Sequence, residues 1–292
     1  MLVIEFKNIS LCEAFYCQLL RSMDTYEGVR KSIFTKQEDG ETRLFINMNV
    51  LDGDKPDKMK EVALILTNVT IKNVLPLWME ELLRERFYYE EQYEIDAIMG
   101  HARDLFFNPP EDVPLETSFL DWQKEMFQLY HQFIQASICF SFESFLMFRF
   151  RKNKEQLGEI VEKAIDEYKM EYDYQIMLQT CREFLKDTVP RVDTVQLFLE
   201  EEVKLVDGNG RLISSQQIRR WLSEEMYFDS HLPLARRVIG PLVSISPRRL
   251  IIHPRTHHEG LLHTLLSIFE ERVELKKELA GNRGIDILAE NN

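Results

Sequence analysis

Four of the seven histidines, His253, His257, His258 and His263, lie between Ile252 and Thr264. Imidazole is a common ligand for zinc and manganese, so the first chemistry to consider is a divalent-metal site built from His253, His257 or His258. The spacing argues against it. His258 and His263 are five apart and His257 and His263 six apart, whereas two ligands on one helical face need i, i+4. Solvated loop histidines are the simpler reading. Arginine offers a second chemistry. The pairs Arg219-Arg220, Arg236-Arg237 and Arg248-Arg249 could hold a phosphate or carboxylate through bidentate guanidinium contacts. A nucleotide, a phospho-ligand or an acidic partner would suit them. The competing reading is that adjacent arginines point apart and decorate solvated faces.

The block Phe145, Phe148, Arg149, Phe150, Arg151 mixes aromatic and cationic side chains, as nucleic-acid stacking platforms do. No RNA-binding signature accompanies it, so the three phenylalanines are expected in the core and Arg149 paired or snorkelling. The glutamate runs Glu80-Glu81, Glu90-Glu91 and Glu200-Glu201-Glu202 read as solvation rather than acid–base pairs. Asp207-Gly208-Asn209-Gly210 resembles half a calcium loop but lacks the closing bidentate Glu, and reads as a hairpin turn. The common phosphate-loop, dinucleotide, serine-hydrolase and zinc-protease signatures are absent.

These residues sit in a 292-residue chain of net charge −13. Such a field repels a phosphate backbone, so nucleic acid is an unfavourable partner. The charge is uneven. Trp78 to Glu125 carries 13 acidic and 4 basic residues, while Arg211 to His263 carries 8 arginines against 4 acids. A basic patch can therefore persist on an acidic protein. Cys12, Cys17, Cys139 and Cys181 form no Cys-x-x-Cys pair and imply no disulfide framework, which fits a cytoplasmic protein. The N-terminus lacks the features of a signal peptide, and the run Val62 to Leu66 is far shorter than the ~20 residues a membrane span needs. No transmembrane segment and no cofactor are expected.

Periodicity gives an α+β fold, mainly helical. A small β-containing N-terminal module is expected from a strand at Leu2 to Phe6, a helix capped by Ser10, and strands at Arg30 to Lys36 and Thr42 to Val50 joined by Glu38-Asp39-Gly40. Helices are expected at Asp57 to Leu75 with a break at Pro76, then Leu77 to Tyr88, Glu90 to Phe106 and Phe119 to Ser137. Asn108-Pro109-Pro110 to Pro114 is the clearest linker. Two amphipathic helices follow, one with Leu157, Ile160, Val161, Ala164, Ile165 and Tyr168, the other with Tyr174, Met177, Leu178, Cys181, Phe184 and Leu185. The C-terminal module then holds a hairpin at Thr194 to Leu199 and Val203 to Val206, helices at Ser215 to Glu225, Leu232 to Val243 and Gly260 to Glu271, and short strands at Arg249 to Ile252 and Arg272 to Leu275. The corresponding division is 1–108, 115–280 and a flexible tail 281–292.

The order of blocks resembles the YtxC-like sporulation proteins of endospore-forming bacteria, over most of residues 60–275. Glu143, Phe145, Phe148 and Arg149 match that family's Glu-Gly-Phe-x-x-Phe-Arg block, with Ser144 in place of the glycine. Val161, Ala164, Asp166, Glu167 and Tyr168, then Val189-Pro190-Arg191-Val192-Asp193, Pro247 to His253 and Ile268 to Val273 are similar to further family segments. Many relatives appended a cysteine-rich tail, whereas this chain has no cysteine after Cys181. The resemblance implies a sporulation setting and supplies no reaction. The expected function is a soluble, cytoplasmic module that binds another protein, with Arg149, Arg236, Arg237, Arg248 and Arg249 as candidate contacts. The alternative is a metal- or phosphate-dependent enzyme with a site from Arg248 to His258.

Overall fold

Leu2, Ile4 and Phe6 are buried while Val3 and Glu5 are half-buried, the period of a strand with one face on a core. This is β1 (Leu2–Phe6). The computed structural model describes residues 1–22, 32–38, 40–48, 55–110, 118–136, 138–199, 203–222, 238–254 and 258–276. β2 (Ile33–Glu38) and β3 (Glu41–Ile46) pair antiparallel from Ile33↔Ile46 to Glu38↔Glu41. Gly40 takes φ 82° in their turn, a conformation glycine reaches without a Cβ clash. β1 pairs antiparallel with β3 and parallel with β4 (Cys139–Ser141), giving the order β2-β3-β1-β4. A segment beyond the proline-bearing linker thus completes the N-terminal sheet. The chain divides into units Met1–Lys169 and Met170–Asn292, a division that does not coincide with the linker at 108–114. The tail 281–292 lies outside the described residues.

α1 (Ile9–Ser22) buries Leu11, Cys12, Phe15 and Leu19. Its cap is Asn8, not Ser10. The Asn8 Oδ1 accepts the N–H of Ser10 at 2.9 Å and of Leu11 at 3.3 Å, and Ser10 lies inside the first turn. Asparagine and serine are equivalent caps, so the sequence alone leaves the start ambiguous by two residues. Asn8→Ala is expected to lower stability by about 1 kcal/mol in urea denaturation, and Asn8→Ser to restore most of it. An unchanged midpoint for Asn8→Ala would show that the cap contributes nothing.

α2 (Lys55–Val69) does not end before Pro76. It passes through a π turn, Thr70–Val74, into α3 (Leu75–Glu85), with Pro76 in the first turn of α3. Proline lacks an N–H and its ring collides with the carbonyl four residues back. The wider turn, marked by Leu75 N–H donating to Thr70 O, absorbs that collision without breaking the rod. The exposed stripe stays aligned: Lys60, Leu64, Asn68 and Lys72 recur at steps of four, and Leu77 follows after five. The run Lys58–Glu85 is long and apolar enough to cross a bilayer, but 61% of its apolar window is buried inside the protein. It behaves as a core helix, lying along α1 and α5 (Phe119–Ala136).

α4 (Gln92–Phe107) and α5 close the first unit around aromatic side chains. Phe106 meets Trp122 edge-on at 5.5 Å. Tyr130 packs on Phe145 at 4.8 Å and Phe150 at 5.3 Å. Phe145 lies in α6 (Phe142–Arg149) and Phe150 just beyond it, and the N-terminus of α6 is capped by the Ser141 hydroxyl accepting Ser144 N–H. Phe142, Phe145 and Phe150 are buried as their pattern suggests. Phe148 is not: it is 74% exposed, because the buried face of this helix is set by Phe142, Phe145 and Leu146, at i, i+3 and i+4, and Phe148 at i+6 has turned off it.

The two amphipathic helices expected after this block are one, α7 (Arg151–Asp187), 37 residues long. Leu157, Ile160, Val161, Ala164 and Ile165 are buried in its first half, and Met177, Leu178, Cys181 and Leu185 in its second. The polar stretch Lys169 to Asp173 contains neither glycine nor proline to stop it. Gly158 serves a close approach here. A Cβ at that position would lie 2.5 Å from the Arg86 Nη1, whose guanidinium reaches over the helix to Glu162 at 2.7 Å.

The second unit is built on a sheet of order β6-β5-β7-β8, from β5 (Thr194–Leu199), β6 (Val203–Asp207), β7 (Arg249–His253) and β8 (Val273–Leu275). β5 and β6 are antiparallel, while β5–β7 and β7–β8 are parallel. Parallel neighbours need crossovers, and helices supply them. α8 (Ser215–Trp221) and α9 (Gly240–Ile245) lie between β6 and β7, and α10 (Glu259–Phe269) between β7 and β8. Leu250, Ile251 and Ile252 are buried in succession, the continuous apolar run of a strand covered on both faces. The fold is α+β and mainly helical.

Candidate functional site

Parallel pairing of β5 and β7 decides what the candidate residues can do together. The register runs from Thr194↔Arg249 to Phe198↔His253. Arg248 and Arg249 therefore stand at the amino edge of the sheet and His253 at its carboxyl edge. At roughly 3.3 Å per residue, the two ends of β7 are about 13 Å apart. Arg248 and Arg249 therefore do not gather with His253 into one site. What reads as a cluster in sequence is split by the length of a strand.

At the carboxyl edge the His253 ring stacks on Phe198 at 4.2 Å, nearly parallel at 8°. Its Nε2 lies 3.2 Å from Gln196 Oε1. His258 occupies the position before α10, where its carbonyl accepts Leu262 N–H at 2.9 Å. His263 is exposed on α10, and His257 lies outside the described residues. Among the described residues no group of three or more His, Cys, Asp or Glu side chains is placed to hold a metal ion.

The amino edge is different. Arg191 N–H donates to Ile245 O, Arg248 N–H to Val192 O and Arg249 N–H to Asp193 O, which locks the approach to β5 beside the approach to β7. The Arg191 Nη1 donates to Trp221 O at 2.7 Å, which draws the last turn of α8, with Arg219 and Arg220, to the same edge. A capping box of Ser214 and Gln217 sets the start of that helix. Arg191, Arg219, Arg220 and Arg248 are all exposed. Arg249 is committed to Glu274 on β8, an acid that neutralises it. Arg236 and Arg237 lie outside the described residues. Arg149 belongs to the first unit, where its guanidinium carbon stands 5.8 Å over the Phe133 ring.

Two arginines missed by motif reasoning organise the second unit. Arg272 donates to Leu185 O at 2.8 Å, Pro247 O at 3.3 Å and Ser246 Oγ at 3.4 Å. Arg182 donates to Ser267 O at 2.8 Å and faces Glu270. Both are isolated in sequence, so no pairing pattern draws attention to them. Asp207 Oδ1 accepts the N–H groups of Asn209 and Arg211, each at 2.9 Å, so this aspartate is used up by its own turn. The cysteines form no disulfide. Burial pushes the Cys12 thiol up to about 11, helped by Glu13 and Glu143, and the Cys181 thiol up to about 12. Neither is poised as a nucleophile.

The geometry defines a two-unit, mainly helical α+β protein with a basic strand edge and, among its described residues, no assembled catalytic constellation. The YtxC-like family model matches residues 60–274, and the chain belongs to that family. It is similar to the uncharacterized protein YtxC of Bacillus subtilis (strain 168), with 29% identity over 203 residues, 68% of this chain and 69% of that protein. No solved structure matches the chain. The family match begins inside α2, so β1, β2 and β3 precede it while their sheet partner β4 falls within it.

Proposed function

We propose that this chain is a cytoplasmic protein-binding module that acts in sporulation, and that the amino edge of the second sheet contacts an acidic segment of its partner. The observation that carries this reading is the gathering of Arg191, Arg219, Arg220 and Arg248 at one exposed edge of a chain with net charge −13. A local cationic edge on an acidic protein selects an acidic surface and steers it. A nucleic acid would suffer repulsion from the rest of the molecule. The sporulation setting rests on the family resemblance, and the unpaired cysteines fit a reducing compartment.

The test is affinity capture from sporulating cells with the full chain and with the triple variant Arg219→Glu, Arg220→Glu, Arg248→Glu. A protein retained at low salt by the native chain is expected to be lost at least about tenfold with the variant, as reversal of contact charges predicts. The thermal midpoint should stay unchanged, since these side chains are in water. Equal capture by both would remove the edge as the contact.

A further inference from the structure

Met147 and Phe148 are adjacent near the end of α6, and both face water, at 63% and 74% exposure, while Phe142, Phe145 and Phe150 around them are buried. An exposed methionine and phenylalanine side by side form an apolar tip whose placement the core does not explain. The chain that follows the tip is rich in cations. No acid occurs between Glu143 and Glu155, and Arg149, Arg151 and Lys152 are all exposed. Glu143 is turned inward, its Oε1 accepting the N–H of Lys7 at 3.0 Å and of Asn8 at 3.1 Å. Lys154 is held by Glu81 at 2.7 Å and is not counted. Arg151 touches Glu155 at 3.2 Å, but its side chain is 82% exposed, so the pair is weak and the guanidinium can turn to another anion.

We propose that this corner is a contact for an anionic lipid surface. Met147 and Phe148 enter the boundary between headgroups and acyl chains, and Arg149, Arg151 and Lys152 engage lipid phosphates. Charge complementarity selects this occupant. An exposed apolar pair beside an excess of cations suits a negatively charged lipid surface, where the apolar side chains leave water and each cation gains from the surface potential. The net charge of −13 does not forbid it. Screening limits repulsion to about one Debye length, roughly 8 Å at physiological salt, and Arg149, Arg151 and Lys152 follow Phe148 closely in the chain. Attachment through one short tip and three cations is weak and reversible.

The experiment is co-sedimentation of the full chain with vesicles of mixed phosphatidylglycerol and phosphatidylcholine, and with vesicles of phosphatidylcholine alone. Binding to the mixed vesicles, weakened by salt, and little binding to the neutral ones is expected. Met147→Asp with Phe148→Asp should reduce binding about tenfold or more, the loss expected for apolar side chains that no longer leave water. Arg151→Glu with Lys152→Glu should reduce it at least about fivefold per cation. All four positions are exposed, so the unfolding transition of each variant should match the native chain. No binding to the mixed vesicles, equal binding to neutral ones, or binding that survives both variants would overturn the proposal. Loss of a captured protein by the Met147 and Phe148 variant, with vesicle binding intact, would also overturn it and assign the corner to a protein.

Discussion

Tyr130→Ala is expected to cost the first unit about 3–5 kcal/mol, the range for deleting a large aromatic from a packed core. Tyr130 is fully buried and meets three rings, Phe142, Phe145 and Phe150. Its hydroxyl lies 2.7 Å from the Thr70 Oγ1. The Thr70 proton goes to Leu66 O at 2.8 Å, so the tyrosine is the donor of the pair. The direction of that bond ranks three variants. Tyr130→Phe removes a donor but leaves every proton satisfied, and should cost about 1 kcal/mol. Thr70→Val strands the buried tyrosine hydroxyl and should cost more, about 1–3 kcal/mol. Urea denaturation followed by fluorescence of the buried Trp122 reads the order, and a Thr70→Val variant as stable as Tyr130→Phe would contradict it. Burial raises the Tyr130 phenol far above its ordinary value of 10.0. The unfolded chain ionises first, so the stability this tyrosine contributes is present below pH ~10 and declines above it.

Arg272→Ala is expected to destabilise the second unit by about 2–3 kcal/mol, because charge-assisted hydrogen bonds to backbone carbonyls are lost and their acceptors keep no donor. Arg272 reaches the end of α7 at Leu185 O, the approach to β7 at Pro247 O, and the Ser246 hydroxyl between them. Ser246 itself has φ 46°, a left-handed conformation uncommon for serine, and the guanidinium helps to hold that corner. Arg272→Lys should recover less than half of the loss, since one ammonium cannot span acceptors arranged for a planar fork. Arg182→Ala is the control, at about 1 kcal/mol or less, because its side chain is 40% exposed. Full rescue by lysine would show that charge alone suffices at position 272.

The elements were legible where side chains keep a single period. β1, α5, β5 and β7 fall within a residue or two of the stretches that alternation and helical spacing mark. α7 was not, because its buried stripes are out of phase. Tyr168 and Tyr174 are six apart, where seven would keep the register, and six reads as a break. Threonines lower the helical propensity of α2 and of the turn after it on paper, yet the Thr67 and Thr70 hydroxyls are both satisfied by carbonyls four residues back. The candidate site was legible only in part. Arg248, Arg249 and His253 are neighbours along the chain but occupy opposite edges of a sheet, and only the pairing of β5 with β7 reveals it. Arg191 was visible solely as part of a family block, since its bond to Trp221 spans 30 residues. Arg236, Arg237 and His257 fall outside the described residues.

The π turn at Thr70–Val74 has a consequence for comparing relatives. Residue number along a helix is also an angle, about 100° per residue. The extra residue in this wide turn is a fixed rotation between α2 and α3, and Met79 and Leu83 beyond it share one buried core with Val62, Leu66 and Val69 before it. A relative shorter by one residue at this place carries not a clipped rod but a rewound one, with its proline released from the widened turn. Gaps that fall here therefore record changes of phase, and aligning the two halves of the rod separately preserves the correspondence that a single unbroken alignment would lose.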